Sequence, residues 1–184
     1  MGNVADASHF LHIFFETTYN AIEKMPGKTA RQFFFEVQLN WEAATHGILS
    51  AKDAEGTIRI ATSPKLGGKG NLWTPEHLLL SAVSGSFIET YLAYAKKIKL
   101  KVLRIECNAI GQIEIIHSKY KFTNINLYPI ICIASETLKE KATLALEKTH
   151  QNCLVTNSLD AGVFYHSEVL ITPKPKKVLN GIEF

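Results

Sequence analysis

The amino-acid sequence predicts an α+β fold in which sheets pack against helices. Charge is absent from Leu78 to Ile88, inside a long helical stretch, so we expect that helix to be buried. Stretches of alternating apolar and polar residues lie before and after it, and such alternation is typical of half-buried strands. The resulting order of strands, buried helix, strands, helix and strand favours antiparallel sheet packed on helices within one main domain.

The stretch before the helix predicts an N-terminal extension and a small sheet. Residues 1–25 carry apolar side chains at roughly helical spacing and end at Met-Pro-Gly, a sequence that breaks helices. Residues 31–41 alternate, with Phe33, Phe35, Val37, Leu39 and Trp41 on one face and mostly polar residues on the other, and shorter apolar runs follow at 47–50 and 57–62. These three runs predict an antiparallel meander, which we assign with all that follows to one domain over residues 26–184.

The central helix is predicted over residues 75–97. Thr74 is a favourable N-cap, and Pro75 suits the first helical position because its missing N–H needs no partner there. Glu76 places negative charge in the first turn and Lys96 places positive charge in the last, which matches the helix dipole. Apolar residues fall on every face rather than in one stripe, so the pattern predicts burial all round.

The middle of this helix, from Ser81 to Ser86, is small and faintly polar. A glycine inside a helix costs about 1 kcal/mol relative to alanine, so we expect Gly85 to have a packing or binding role that offsets this cost. The run predicts either the close approach of another backbone or space left for a ligand, and both interpretations stay open.

Beyond the central helix the pattern predicts three strands, a second helix and a final strand, over residues 101–110, 112–116, 121–133, 136–150 and 163–171. Gly111 separates the first two strands, and Pro129 indicates an edge position or a bulge in the third. Ser135 is the expected cap of the second helix.

Composition and charge exclude several classes of function. The net charge of +3 is too small, and the lysines too scattered, to indicate a nucleic-acid partner. A membrane-spanning helix needs roughly 20 apolar residues, whereas His77 and Glu89 bound a shorter uncharged stretch, so we expect no membrane partner. The N-terminus lacks the features of a signal peptide, and a cytoplasmic protein is expected.

The sequence predicts neither a metal nor a cofactor. The histidines show no HxH or HExxH spacing, and the cysteines form no CxxC pair. The glycine-rich loop at residues 64–73 fits neither nucleotide-binding pattern, because Trp73 stands where GxGxxG needs glycine and Gly70 follows Lys69 where the P-loop needs serine or threonine.

Three cysteines are the candidates for redox chemistry. Cys107 and Cys132 lie in apolar strand patterns and are interpreted as packing residues. Cys153 follows a predicted helix in the polar run HQNC, so its pattern leaves open whether it packs or reacts. An odd number of cysteines indicates a reducing compartment. Ser84 and Ser86 lie within the central helix and not in a GxSxG turn, so neither is predicted to be a hydrolase nucleophile.

Two segments carry a resemblance to a known family. The run LGGKGNLWTPEHLLLSAVSGSFIETYLAYAKK and the later run LEKTHQNCLVTNSL resemble the OsmC/Ohr superfamily, the osmotically inducible and organic hydroperoxide resistance proteins. The likeness extends from about residue 30 to about residue 170. It implies an OsmC-like fold, with antiparallel sheets around two long central helices, and an intertwined homodimer.

The resemblance also implies a reaction, since active members of the family are thiol peroxidases. An attacking cysteine in the first central helix cleaves the O–O bond of an organic hydroperoxide and becomes a sulfenic acid. A resolving cysteine in the second helix then condenses with this sulfenic acid to form a disulfide. A dithiol then restores the pair. A glutamate at the start of the first helix and a loop arginine activate the attacking cysteine.

Carried over by position, Glu76 matches the family glutamate and Cys153 matches the resolving cysteine. The position of the attacking cysteine falls on Ser86, followed as in the family by Phe87. No arginine matches well, because Arg59 lies within a predicted strand, and the nearby loop segments offer other residues instead, namely His46, Lys65 and Lys69.

Serine cannot replace cysteine in this cycle. The thiolate is useful because sulfur accepts oxygen reversibly, whereas oxygen attack on a peroxide gives only another peroxide. We therefore expect a protein that has lost peroxidase activity and binds a small apolar or amphipathic molecule at the dimer interface, with Ser84, Ser86 and Phe87 lining the pocket. Glu76 and Cys153 are the retained catalytic positions.

Two alternatives remain. In the first, Cys153 alone acts as a thiol-dependent hydroperoxide reductase. In the second, the chain is a dimeric scaffold that binds a partner through its N-terminal extension. The scaffold hypothesis predicts that deleting residues 1–24 abolishes a pull-down interaction while substitutions at Ser86 have no effect.

Overall fold

The computed structural model of the chain describes residues 32–42 and 46–172. By its internal contacts the chain divides into two units, Met1–Val37 and Gln38–Phe184. Within the first unit, residues 32–37 have no regular secondary structure, and the extension predicted over residues 1–25 lies outside the described part of the chain. All helices and strands described below belong to the second unit, and the predicted boundary at residue 26 stays a prediction.

A three-stranded antiparallel meander opens the second unit, with strands β1 (Gln38–Glu42), β2 (His46–Ser50) and β3 (Ile58–Ile60) in that order. The predicted meander is confirmed, but its first strand is shorter than the alternating run at 31–41. Leu39 lies opposite Leu49 and Trp41 opposite Gly47. The side chains of Leu39 and Trp41 occupy the space that a β-carbon on Gly47 would need.

Helix α1 (Pro75–Lys97) has the predicted bounds. Thr74 is its N-cap, and the cap is reciprocal: the Thr74 hydroxyl accepts from the backbone N–H of His77, and His77 Nδ1 accepts from the backbone N–H of Thr74 at 3.3 Å. Each bond satisfies a donor that the start of the helix leaves without a partner. Local sequence therefore fixes where this helix begins.

The predicted all-round burial of α1 is wrong for the single chain. Only one stripe at four-residue spacing is buried, namely Val83, Phe87, Tyr91 and Ala95. This stripe packs against the second helix and the long hairpin described below. The remaining apolar surface of α1, which includes Leu92 at 43% exposure, is left open by the described chain.

The largest sheet is built on a long antiparallel hairpin, β4 (Val102–Ile116) and β5 (Lys119–Ile133). The predicted break at Gly111 is wrong, because β4 runs through it as one strand. A β-carbon on Gly111 would approach the Phe122 ring to 2.5 Å and a Leu80 methyl to 3.0 Å. Gly111 therefore leaves space for the Phe122 ring and for Leu80 of α1, and it does not end the strand.

Strands β6 (Gly162–Tyr165) and β7 (Glu168–Ile171) both pair with β5 in parallel, so the sheet is mixed. The prediction of one final strand over 163–171 is wrong, because two strands form there, whereas the edge position predicted for Pro129 holds on one side of β5 only. Pro129 lies in the central strand and pairs with Cys107, and it falls between the segments of β5 that pair with β6 and with β7. Its missing N–H lies where neither strand pairs with it.

The second helical region begins with a 3-10 turn, Glu136–Leu138, and continues as α2 (Lys139–Asn152). Ser135 is the N-cap residue of the 3-10 turn, as predicted, but its side chain makes no capping hydrogen bond and instead contacts the Thr137 hydroxyl at 2.8 Å. The inner face of α2 consists of buried Ala142, Ala145, Leu146 and Thr149. Helix α2 ends at Cys153, which begins the single turn α3 (Leu154–Asn157).

The core of this unit lies between α1, α2 and the inner face of the hairpin. Its centre is formed by Phe87, Tyr91, Ile125 and Leu127, all completely buried. By length and composition α1 is one helix that could cross a membrane, a criterion that core helices of soluble proteins also meet. It is therefore only weak evidence for a membrane span.

Candidate functional site

The structure brings Ser86 and Cys153 together. Ser86 lies in the middle of α1, beside the buried Phe87. Cys153 closes α2, where its backbone N–H donates to the carbonyl of Thr149 at 3.0 Å. The distance between Cys153 Sγ and Ser86 Oγ is 3.3 Å, within hydrogen-bonding range for sulfur. The roles that the family resemblance implies for these two residues stay predictions.

Several donors surround the Cys153 thiol, which is completely buried. The sulfur lies 3.3 Å from Ser86 Oγ, and the Thr156 hydroxyl donates to the carbonyl of the same cysteine at 3.2 Å. The Val155 N–H also lies 3.4 Å from Ser86 Oγ, which ties the start of α3 to the middle of α1. A sulfur atom in this position can be stabilised as an anion without any neighbouring positive charge.

The pKa of Cys153 reflects two opposing effects. Burial of the sulfur raises its pKa, because the anion loses hydration. The hydrogen bonds from Ser86, Thr156 and Val155 lower it, and together they outweigh burial, so that the pKa lies below its ordinary value. The thiolate of Cys153 is therefore favoured relative to a free cysteine.

An aromatic group that sequence reasoning missed lies beside this pair. The rings of His150 and Tyr165 stack with centroids 4.0 Å apart, and the Phe87 ring lies 5.7 Å from Tyr165. Burial lowers the pKa of His150, which favours the neutral imidazole, and its Nε2 atom is buried without a hydrogen-bond partner among the described residues. The helical position of His150 near Cys153 was the only sequence signal for this group.

Thr156 joins the aromatic group to the cysteine. Its hydroxyl donates to the Cys153 carbonyl at 3.2 Å and accepts from the Tyr165 hydroxyl at 3.3 Å. Tyr165 comes from β6, so this contact depends on the parallel pairing of β6 with β5. No local pattern in the sequence indicates it.

Glu76 lies in the first turn of α1, where its negative charge suits the helix dipole. Its Oε2 atom is buried and has no hydrogen-bond partner within residues 32–42 and 46–172. A buried carboxylate oxygen without a donor is costly, so the position favours contact with a further group. The described contacts do not join Glu76 to Ser86 or Cys153.

Ser84 is engaged within its own helix, because its hydroxyl donates to the Ser81 carbonyl at 3.2 Å. Phe87 is completely buried in the core rather than exposed to a pocket. Of the residues predicted to line a pocket, the structure thus places only Ser86 against Cys153. No described contact brings Arg59, Lys65 or Lys69 to this pair.

The other two cysteines lie in the large sheet. Burial raises the pKa of Cys107 to about 11, a backbone hydrogen bond from Tyr128 opposes this, and the charge of Cys153 adds to the increase. Cys132 is buried, and Arg104 donates to its sulfur across the hairpin at 3.8 Å. The described residues form no group of three or more side chains that could hold a metal ion.

A large concavity lies away from this pair. An open groove of about 720 Å³ on the outside of α2 is lined by residues from the 3-10 turn and the helix, among them Glu140, Leu144 and Glu147. None of its lining residues contacts Cys153 or Ser86. The pair itself lies between α1 and the start of α3, where Cys153 is part of the buried core.

Comparison with known proteins places the chain in one family. The model of the OsmC-like protein family matches residues 68–167, more than half of the 184-residue sequence, and these include Glu76, Ser86 and Cys153. No curated protein matches the chain by sequence.

Solved structures share the fold at low identity. An OsmC-like protein of unknown function from Vibrio cholerae is 19% identical with a TM-score of 0.62, covering 76% of this chain and 100% of its own. An organic hydroperoxide resistance protein from Elizabethkingia anophelis is 18% identical with a TM-score of 0.62, covering 78% and 100%. One from Legionella pneumophila, also described as a predicted redox protein, is 17% identical with a TM-score of 0.60, covering 77% and 100%.

Proposed function

The chain belongs to the OsmC-like protein family, and from this membership we propose that it is a member without peroxidase activity that binds a small apolar or amphipathic molecule beside Ser86. The observation that carries the proposal is the 3.3 Å contact between Ser86 Oγ and Cys153 Sγ. An oxygen atom occupies the place next to the retained thiol where the family reaction needs a second sulfur.

The chemistry of the pair supports a loss of turnover. A thiol peroxidase forms a sulfenic acid and then a disulfide, and both need sulfur at the attacking position. Ser86 Oγ instead accepts one hydrogen bond from the Val155 N–H and one from the Cys153 thiol. The Ser86 hydroxyl thereby gives both donors a hydrogen-bond partner, but its oxygen cannot be reversibly oxidised and reduced as sulfur can.

Exposed apolar surface supports an assembly of two copies. Outside its buried stripe, α1 leaves Leu92 exposed at 43%, and the meander leaves Leu39 and Trp41 exposed at 47% and 46%. A second copy of the chain would cover such surface and could enclose a ligand against the small residues of α1. Glu76, with one buried oxygen lacking a donor, is a candidate to meet a polar group there.

The proposal is tested by native mass spectrometry of the purified protein and by titration with the apolar fluorophore anilinonaphthalene sulfonate. We expect a dimer with a co-purified molecule, and saturable fluorescence that Ser86→Leu abolishes because the larger side chain fills the site. Gln151→Leu adds the same side chain at an exposed position and should leave binding unchanged. Identical fluorescence from Ser86→Leu and the unsubstituted protein, with no bound molecule, would contradict the proposal.

A second candidate function is a peroxidase that uses Cys153 alone, and the hydrogen bonds that lower the pKa of this thiol favour it. The thiolate would attack one peroxide oxygen, releasing an alcohol and leaving a sulfenic acid for an external thiol to reduce. Complete burial of the sulfur weighs against ready access. Retention of full hydroperoxide reduction by Cys153→Ser would rule this candidate out.

A further inference from the structure

The open groove on the outside of α2 carries an excess of negative charge. Its charged lining residues are three glutamates and one lysine, namely Glu136, Glu140, Glu147 and Lys139. Lys139 Nζ lies 3.1 Å from Glu136 Oε1, so these two charges offset each other. Glu140 and Glu147 form no ion pair with any other residue of the described chain. The groove therefore offers two carboxylates to a positively charged occupant.

An exposed leucine lies between these two carboxylates. Leu144 is 44% exposed, and it follows Glu140 by four residues and precedes Glu147 by three. Residues at this spacing are neighbours on one face of a helix, so the three side chains form a stripe along α2. An occupant that matches the stripe needs positive charge and an apolar side chain close together.

The sequence directly after the last described residue has this composition. Residues 173–184 read PKPKKVLNGIEF, with three lysines and a single acidic residue. The lysines are Lys174, Lys176 and Lys177, and two apolar residues, Val178 and Leu179, follow them at once. This segment, which we call the basic segment, belongs to the same contact unit as the groove.

The basic segment begins close to the groove. The backbone N–H of Thr172 donates to the Ile133 carbonyl at 2.9 Å, so the chain leaves the sheet beside the end of β5. Glu136 follows Ile133 by three residues, which span at most about 11 Å. The lysine at position 177 lies five residues beyond Thr172 and can therefore be up to about 18 Å from it. The stripe on α2 is about 10 Å long, so the lysines can reach it.

We propose that the basic segment binds in the α2 groove of its own chain, with lysines against Glu140 and Glu147 and Val178 or Leu179 against Leu144. Ion pairs at a surface are individually weak, but the short connection to β7 gives the segment a high effective concentration at the groove. Binding there does not depend on a ligand or on turnover at Ser86. Because α2 ends at Cys153, the bound segment stabilises the helix that positions this thiol.

The first test is limited proteolysis of the full chain with trypsin, which cuts after lysine except where proline follows. Cleavage after Lys176 or Lys177 requires the side chain to leave the groove, so its rate follows the unbound fraction of the segment. We expect slower cleavage at these bonds than in a synthetic peptide of residues 172–184, measured by mass spectrometry. The double substitution Glu140→Gln and Glu147→Gln should make cleavage about fivefold faster, since two surface ion pairs are lost.

The double substitution Glu89→Gln and Glu114→Gln is the matched control. It also removes two exposed carboxylates, one from α1 and one from β4, and leaves the groove unchanged. Its cleavage rate should equal that of the unsubstituted chain. Equal rates for the two double variants would overturn the proposal, and so would cleavage of the unsubstituted chain at the rate of the free peptide.

The second test identifies which chain fills the groove and needs no substitution. Unlabelled and ¹⁵N-labelled chains are mixed in urea, refolded together and treated with a carbodiimide, which couples carboxylates to lysines in direct contact. We expect cross-linked peptides that join the basic segment to Glu140 or Glu147 within a single isotope. Cross-links that join the two isotopes would show that a second copy fills the groove and would contradict the proposal, as would the absence of cross-links to either glutamate.

Discussion

Two thiols in the same core differ in the direction in which the protein shifts their pKa. Cys107 lies in β4, where burial raises the pKa to about 11. Cys153 lies between α2 and α3, where burial also raises the pKa but hydrogen bonds from surrounding donors lower it further than burial raises it. The comparison teaches that the supply of donors, rather than depth in the core, decides which sulfur is ready to react.

The largest expected effect comes from placing a cysteine at position 86. With Cys153 Sγ 3.3 Å from the Ser86 oxygen, Ser86→Cys should form an 86–153 disulfide under mild oxidant. Such a bridge closes a long loop and should raise the free energy of unfolding by about 4 kcal/mol over the reduced variant. Paired urea unfolding curves, with and without reductant, measure it, and a variant that never forms the bridge would show that the observed geometry is wrong.

A smaller effect on stability is expected from removing the hydroxyl at position 86. Ser86→Ala leaves both Cys153 and the Val155 N–H without the partner they have now, so it should cost about 1–3 kcal/mol. Ser84→Ala is the matched control, because the Ser84 hydroxyl contacts only its own helix, and its cost should stay within about 0.5 kcal/mol. Equal unfolding midpoints for Ser86→Ala and Ser84→Ala would contradict the claim that the Ser86 hydroxyl stabilises the region around Cys153.

The pH dependence of stability should carry opposite signs for the two thiols. The folded pKa of Cys107 is raised, so its contribution to stability is present below the unfolded pKa of about 8.5 and is lost as pH rises through 11. The folded pKa of Cys153 is lowered, so its contribution is present above about 8.5 and is lost as pH falls through the folded value.

Each thiol changes the free energy of unfolding by at most about 1.4 kcal/mol per pH unit. Unfolding in urea across alkaline pH, repeated for Cys107→Ser and Cys153→Ser, separates the two contributions from those of other groups. The unsubstituted chain should show a decrease in the free energy of unfolding with rising pH that is absent from Cys107→Ser. It should also show an increase with rising pH that is absent from Cys153→Ser. The same slope change in both variants would refute the contrast.

The parts of the fold that local sequence determines were predictable. Thr74 and Pro75 fix the start of α1 through contacts within one turn, and the predicted bounds are confirmed. Gly111 was wrongly predicted to end a strand, because its role depends on the Phe122 ring packed from the neighbouring strand, and the edge at Pro129 proved to be a gap between two partner strands of β5. Neither feature is visible along the chain.

The candidate site was predictable only in part. The pairing of Ser86 with Cys153 was expected from the family resemblance, since the two residues lie far apart in sequence and no periodicity joins them. The aromatic group beside the pair could not be expected, because Tyr165 reaches Thr156 only once β6 has paired with β5. The burial of α1 was overestimated, because its apolar faces outside one stripe remain open in the single chain.

The central claim is that oxygen in place of sulfur at position 86 leaves the site intact while removing turnover. Its most direct test is the dithiol-dependent reduction of cumene hydroperoxide by the unsubstituted protein and by Ser86→Cys, measured side by side. We predict no catalysis above the uncatalysed rate for the unsubstituted protein and measurable turnover for Ser86→Cys. Turnover by the unsubstituted protein at a rate comparable to that of an active family member would contradict the claim.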